Sequence, residues 1–286
     1  MAFSSLAEID SYMKENTCEF WEAVIREEAR DSQQPEMDIV NRMTQMYRAM
    51  KEADETYDDT LTSHSGLSGK NGKRMADYAA THKCMCGEFG GAVMARAIKM
   101  AESNACMKRI VAAPTAGSCG VVPAILITYE RMTNTSENDM VKALFVAAIG
   151  DVIARRASIS GARGGCQAEI GASSAMAAGA LAWLKSGSSH LIIQAAAMAL
   201  KSLLGLVCDP VAGLVEVPCV KRNASGAMNA LCAVDMALAG IESAIPVDEV
   251  IDAMREIGDL MHKDLRETGK GGLAATATGM AIAEQL

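Results

Sequence analysis

The feature that most constrains the fold is a series of apolar, small-residue segments at helical spacing, separated by glycine-rich polar loops. The segments 168–185 and 190–207 show this most clearly. Small residues let helices approach closely, and methionine fills irregular gaps between them. A β-sandwich would need strands rich in Val, Ile, Tyr and Phe, whereas aromatic residues make up only 4% of this chain. The sequence therefore predicts an all-α fold, with a single compact helical domain over residues 1–286.

Hydrophobic periodicity also predicts where the helices lie. In chain order they are expected at 5–55 (two helices), 73–103, 140–155, 168–185, 190–207, 226–241 and 246–266. The apolar runs 121–128 and 203–207 are compatible with short strands as well as helices, because periodicity does not separate the two in a short run.

Charge and cysteine usage narrow the functional class. The net charge of −8 argues against nucleic acid as the main partner. The first residues lack the charged and apolar regions of a signal peptide, and no apolar run reaches the ~18 residues of a membrane span. Nine cysteines in such a chain indicate free thiols or metal ligands in a reducing compartment. We therefore expect a cytoplasmic protein without a membrane span.

Four polar loops are candidates for a shared site, because loops on a rigid scaffold often bind ligands. They span 62–72, 113–120, 158–167 and 208–225, and each combines Gly with Ser, Thr or Asn. Taken one at a time they are equally explained as turns. Since two of them carry three cysteines, the sequence favours a common site.

Those cysteines are Cys166, Cys208 and Cys219. Three thiolates can hold three irons of a 4Fe–4S cluster and leave the fourth iron open as a Lewis acid. Spacing alone favours the alternative of buried apolar cysteines, because no compact CxxC pair is present. Cys119, in a glycine-rich loop, competes for a ligand position. Structural or core positions are expected for the remaining five: Cys18, Cys84, Cys86, Cys106 and Cys232.

Two of the loops carry hydroxyl groups suited to substrate binding. Thr115 and Ser118 can donate hydrogen bonds to a carboxylate beside backbone amides. His64, between Ser63 and Ser65, is the histidine best placed for proton transfer, judged from its loop context.

A third group of polar residues follows Cys219. Lys221 and Arg222 offer positive charge, although an ordinary solvated charge pair is the favoured interpretation for these two. Asn223 offers a bidentate amide.

Several of these segments resemble motifs of the iron–sulfur L-serine dehydratases, and in particular of their catalytic α chain. The blocks are 113–124 (APTAGSCGVVPA), 157–171 and 208–224 (CDPVAGLVEVPCVKRNA), and the resemblance extends from 63–69 to 266–274. It implies an all-helical catalytic chain in which Cys166, Cys208 and Cys219 hold a 4Fe–4S cluster. It also implies conversion of L-serine to pyruvate and ammonia without pyridoxal phosphate, as part of amino-acid degradation and gluconeogenesis.

The resemblance carries further expectations about the site and its partners. Ser63, Ser65, Thr115, Ser118 and Asn223 are the expected substrate-binding residues. His64, with Ser65, is the catalytic hypothesis drawn from this sequence alone.

Single-chain family members have an extra N-terminal domain and a C-terminal cysteine that this sequence lacks. We therefore expect a separate β chain, a heterodimer or larger oligomer, and no capping of the fourth iron by a tail cysteine. Position 116 is Ala where some members have Asn, which affects the carboxylate contacts.

Two alternatives stay open. A cysteine desulfidase would use the same open iron on a sulfur substrate and release sulfide. A non-catalytic helical protein would hold a structural cluster or zinc in a closed four-cysteine site, for which Cys119 is the obvious fourth ligand.

Overall fold

The computed structural model describes residues 3–286, and within them the backbone is helical and forms no β-strand. The α-helices are α1 (Leu6–Asn16), α2 (Phe20–Ser32), α3 (Glu36–Glu55), α4 (Asn71–Ala79), α5 (Gly87–Ala105), α6 (Val121–Thr133), α7 (Glu137–Val146), α8 (Ile149–Arg156), α9 (Gly161–Gly164), α10 (Ala172–Ser186), α11 (Ser189–Lys201), α12 (Cys219–Leu238), α13 (Val247–Leu260) and α14 (Ala277–Ala283). The all-α prediction is confirmed, and the run 121–128 belongs to α6 rather than to a strand.

Helix α10 lies at the centre of the molecule. Its residues are mostly Ala, Gly and Ser, and it packs against α6, α7, α8, α11 and α12. Alanine favours helix and adds little bulk, so the neighbouring helices can pack closely around α10. A continuous apolar core, with members from Phe3 to Met254, surrounds it.

Several predicted helices are shorter or more divided than the periodicity indicates. The segment 5–55 contains three helices, because Thr17 and Gln33 adopt the left-handed conformation and end α1 and α2. The segment 73–103 is divided between α4 and α5, with His82 and Gly87 at positive φ in the connection.

The same division occurs further along the chain. The segment 140–155 is divided between α7 and α8, and α13 ends at Leu260 rather than near 266. Most of these helix breaks occur at residues other than glycine. The local sequence pattern therefore does not predict them.

The prediction of a loop over 208–225 is wrong in its second half, because α12 begins at Cys219. Pro218, which cannot donate a backbone hydrogen bond, immediately precedes the first residue of the helix. Cys219, Arg222 and Asn223 therefore lie in the first two turns of a helix of 20 residues. Among the helices of residues 3–286, none has both the length and the apolar character required to cross a membrane.

Candidate metal centre

Three separate elements bring the predicted cysteines into the interior. Cys166 precedes a π-helical turn, Gln167–Gly171, that leads into α10. Cys208 is held in extended backbone, where its N–H donates to Leu265 O at 2.9 Å and its C=O accepts from Glu267 N at 2.8 Å. Cys219 opens α12. All three are buried, with at most 7% of each residue exposed.

Two of these thiols form a tight group with a carboxylate. Sγ of Cys166, Sγ of Cys208 and a carboxylate oxygen of Glu169 all lie within 4.8 Å of one another. Cys219 lies outside this closest group, yet near enough for negative charge on Cys166 to affect its pKa. The structure thus brings the three predicted cysteines to one site and adds a glutamate to it.

The thiols affect one another's ionisation. A hydrogen bond from Cys208 lowers the pKa of Cys166 despite its burial, and the positive charge of Arg222 lowers it further. The same hydrogen bond raises the pKa of Cys208, as does burial. Burial, followed by the charges of Cys166 and Glu169, raises the pKa of Cys219 to about 12. The positive charge of Arg222 thus favours the thiolate form of Cys166, the form that binds metals.

Glu169 is fixed by one of the predicted polar loops. Thr115 Oγ1 donates to Glu169 Oε1 at 2.7 Å, and Ser118 Oγ lies 3.1 Å from Thr115 Oγ1. Burial raises the pKa of Glu169, the Thr115 hydrogen bond opposes that rise, and negative charge on Glu267 adds to it. Thr115 thus contacts the centre through Glu169, a carboxylate that the sequence analysis missed, and the substrate contacts expected of Thr115 and Ser118 stay predictions.

Asn223 connects the 113–120 loop to α12. Its Oδ1 accepts from Gly120 N at 2.8 Å, while its Nδ2 donates to Gly117 O at 2.8 Å and Cys219 O at 3.0 Å. The residue is fully buried. In this structure Asn223 therefore holds the backbone of two site segments together, and a direct contact with substrate stays a prediction.

The loop that carries His64 is fastened by a buried glutamate. Ser63 Oγ and Ser65 Oγ donate to the two oxygens of Glu216 at 2.6 and 2.8 Å. Glu216 lies between Cys208 and Cys219 in the chain and is 8% exposed. His64 itself is exposed. The two serines therefore join the His64 loop to the segment that carries two of the cysteines.

Arg222 is not the solvated charge that the sequence analysis favoured. Its side chain is 16% exposed; Nη2 donates to Asp209 Oδ1 at 2.9 Å and Nη1 to Val207 O at 2.8 Å. It also interacts with the Cys166 thiol. Lys221, by contrast, is exposed.

The other cysteines lie away from this centre. Cys119 is fully buried with Sγ 3.8 Å from Met100 O, and burial raises its pKa to about 12. It is absent from the group formed by Cys166, Glu169 and Cys208. Cys86 and Cys232 are exposed, so the core position expected for Cys232 is wrong. Intermediate burial describes the remaining three, Cys18, Cys84 and Cys106.

Comparison with known proteins shows the family to which this chain belongs. The family model described as "Serine dehydratase alpha chain" matches residues 15–274. This chain belongs to that family. The "Probable L-serine dehydratase, alpha chain" of Bacillus subtilis (strain 168) is 45% identical over 285 residues, covering 99% of this chain and 95% of that protein.

Two further members of the serine dehydratase alpha chain family show how the similarity is distributed. The "L-serine dehydratase, alpha chain" of Peptoniphilus asaccharolyticus is 41% identical over 279 residues, 96% of this chain and 95% of that protein. "L-serine dehydratase 1" of Escherichia coli (strain K12) is 44% identical over 181 residues, 62% of this chain but 40% of that longer protein.

Proposed function

We propose that this chain is the catalytic α chain of an L-serine dehydratase, a lyase that converts L-serine to pyruvate and ammonia. We further propose that Cys166, Cys208 and Cys219 hold a 4Fe–4S cluster. The observation that carries the proposal is the close group of Cys166, Cys208 and Glu169, with the buried Cys219 near enough for its charge to affect the pKa of Cys219, in a family whose members are named L-serine dehydratases.

The donor set fits an iron–sulfur group. Thiolates are the ligands of iron–sulfur clusters, and each of the three comes from a different segment, so together they can surround a cluster. Cys219 lies at the N-terminus of a helix, where the helix dipole partly opposes the rise in its pKa that burial causes. Arg222 supplies a buried positive charge beside Cys166. Gly161 leaves space free, because a Cβ there would stand 3.2 Å from Cys208 Sγ.

The residues of this chain have separable tasks in that reaction. When bound, an iron without a cysteine ligand acts as a Lewis acid that assists departure of the serine hydroxide. Thr115 holds Glu169 and Ser118 Oγ lies against Thr115, so both position the site, and a hydroxyl contact with the substrate carboxylate stays a prediction. His64 is the proposed base for the α-proton, with Ser63 and Ser65 fixing its loop on Glu216. Asn223 keeps the 113–120 loop against α12.

A separate β chain is the proposed partner. The names of the relatives that cover the full chain describe them as alpha chains, which supports a second subunit. We propose that the complete enzyme is a heterodimer or larger assembly of these chains, and that it acts in the cytoplasm.

The test is anaerobic reconstitution of the full chain with iron and sulfide, with and without the β chain, followed by a pyruvate assay with L-serine. We expect iron-dependent pyruvate formation that is lost in air, because an accessible iron is readily oxidised. Sulfide release from L-cysteine without turnover of L-serine would point instead to a desulfidase. A chain that binds iron but turns over neither substrate, even with the β chain, would favour a structural cluster.

A further inference from the structure

Glu169 has an incompletely used carboxylate inside the thiol site. Its Oε1 accepts a hydrogen bond from Thr115 at 2.7 Å. Among the described residues, no donor forms a hydrogen bond to its Oε2. Glu169 is partly buried, so a carboxylate oxygen without a protein donor at this position is open to water or to a cation. One oxygen is therefore held in place while the other is left available to a ligand.

The available oxygen lies beside Gly161 and next to a thiol. A Cβ on Gly161 would stand 2.8 Å from Glu169 Oε2 and 3.2 Å from Cys208 Sγ. A Cβ on Gly117 would stand 3.0 Å from Glu169 Oε1. Both contacts are too close for a side chain, so glycine at these two positions lets the backbone pack against the carboxylate, which lies beside the Cys208 thiol. The carboxylate oxygen and the two thiols, within 4.8 Å of one another, are donors that can bind the same metal centre.

We infer that Glu169 is a fourth protein ligand of the centre and supplies one oxygen to the iron that the three cysteines leave open. This inference rests on the proposed function. Oε1 stays on Thr115, which orients the carboxylate in the way that hydrogen-bonded neighbours orient metal ligands. A carboxylate oxygen is a harder ligand than thiolate sulfur. Glu169 is thus suited to hold this iron without substrate and to give way to a substrate oxygen.

A second carboxylate nearby provides a matched comparison. A Cβ on Gly161 would also stand 3.2 Å from Glu267 Oε2, so Glu267 and Glu169 both lie next to Gly161. Glu267 is exposed, however, and does not belong to the close group with the two thiols. A ligand role is therefore assigned to Glu169 and not to Glu267.

The experiment compares wild type, Glu169→Gln and Glu267→Gln, each reconstituted anaerobically as the full chain with ⁵⁷Fe and sulfide. Glutamine keeps the size of the side chain and the Thr115 contact but is a poor metal ligand. Mössbauer spectra report the environment of each iron, and EPR after mild oxidation follows conversion to a three-iron cluster. We expect Glu169→Gln to change the signal of one iron in four and to lose that iron about 10-fold faster. Glu267→Gln should behave like wild type.

Thr115→Val provides a second variant that retains the carboxylate. It should speed iron loss by less than Glu169→Gln, because Oε2 remains but is less firmly held. Unchanged iron signals and unchanged loss rates in Glu169→Gln would overturn the inference. If the KM for L-serine rose in that variant while the iron signals stayed the same, the carboxylate would contact the substrate and not the iron, and the inference would be overturned as well. In that case wild type would still carry a cluster and form pyruvate. A wild-type chain that assembles no cluster would contradict the proposed function itself.

Discussion

Glu102, which is buried, and Glu169, which is partly buried, are two glutamates with opposite surroundings. Glu102, 1% exposed, accepts four N–H hydrogen bonds from residues 69–72 and one from the hydroxyl of Tyr57. Glu169 accepts one, from Thr115. A carboxylate surrounded by donors anchors a loop, because its charge is satisfied within the chain. A carboxylate that has one oxygen free of protein donors and lies beside two thiols is suited to bind a metal cation.

The cysteines show the same contrast. Cys119 is enclosed by apolar neighbours, and its thiol is directed at the carbonyl of Met100. Cys166 is equally buried but lies beside Cys208, Glu169 and Arg222. Burial alone therefore does not distinguish a structural residue from a functional one; the neighbours do.

The largest expected effect comes from removing the anchoring carboxylate. Glu102→Ala leaves the N–H groups of residues 69–72 without an acceptor, so we expect the free energy of unfolding to fall by about 3 kcal/mol or more. Glu169→Gln, measured in the same metal-free chain, should change it by less than about 1 kcal/mol. Urea unfolding under reducing, anaerobic conditions compares the two. If the free energy of unfolding fell by a similar amount in both variants, the distinction between the anchoring carboxylate of Glu102 and the ligand carboxylate of Glu169 would be contradicted.

Glu216 lies between these extremes, because it anchors a loop that belongs to the site. Glu216→Gln keeps one acceptor oxygen but weakens the contacts with Ser63 and Ser65. We expect the kcat of the reconstituted enzyme to fall roughly 10- to 100-fold with the iron content unchanged. The Ser63→Ala/Ser65→Ala variant should lose a similar amount, and the combined variant little more, because all three residues act through one contact. Fully additive losses would show that Glu216 acts independently of the serines.

Gly161 packs against Glu169 so closely that one methyl group added at position 161 would collide with the carboxylate. Gly161→Ala places a Cβ 2.8 Å from Glu169 Oε2, so the carboxylate or Cys208 must shift. We expect about a 10-fold loss of iron retention during gel filtration, in the range seen when the residues supporting a metal site are changed. Gly171→Ala is the control, since its nearest neighbour is 3.4 Å from the added carbon. Equal iron retention in both variants would mean that the volume beside Gly161 is not used.

The smallest effect is expected at a well-partnered surface glutamate. Hydrogen bonds from Arg48 and then Lys51 lower the pKa of Glu137 from 4.5 to about 2. A lowered folded-state pKa stabilises the protein above the unfolded pKa, and that stabilisation is lost as the pH falls from about 4.5 towards 2. Because 32% of the Glu137 side chain and 64% of the Arg48 side chain are exposed, solvent screens the pair and we expect less than about 1 kcal/mol. Urea unfolding at pH 3 and pH 7 should show this difference in wild type and a smaller one in Glu137→Gln.

Sequence reasoning found the elements of the site but not the contacts between them. The three cysteines, Thr115 and Ser118 could be named because glycine-rich loops and a family resemblance marked them. Glu169 carried a weak signal, as the only charged residue between Cys166 and Lys185. The pairing of Ser63 with Glu216 spans 153 positions, and no local pattern encodes a contact at that separation.

The boundaries of the helices show the same limit. Pro218 immediately precedes α12, and proline is favoured around the beginning of a helix, yet the sequence analysis placed the start of this helix near Gly226. Helical runs are broken by the left-handed conformations of Thr17, Gln33 and His82. The side chains of these residues do not predict that conformation. Helix existence therefore follows from periodicity, whereas the division of helices depends on the packing of the whole chain.

The most direct test of the central claim is the iron and sulfide content of four variants reconstituted anaerobically: Cys166→Ser, Cys208→Ser, Cys219→Ser and Cys119→Ser. Wild type and Cys119→Ser are predicted to hold four irons and four sulfides per chain, as a 4Fe–4S cluster requires. The other three variants are predicted to lose most of that content. If Cys119→Ser lost the cluster as fully as Cys166→Ser, or if Cys208→Ser kept it, the assignment of the three-cysteine centre would be contradicted.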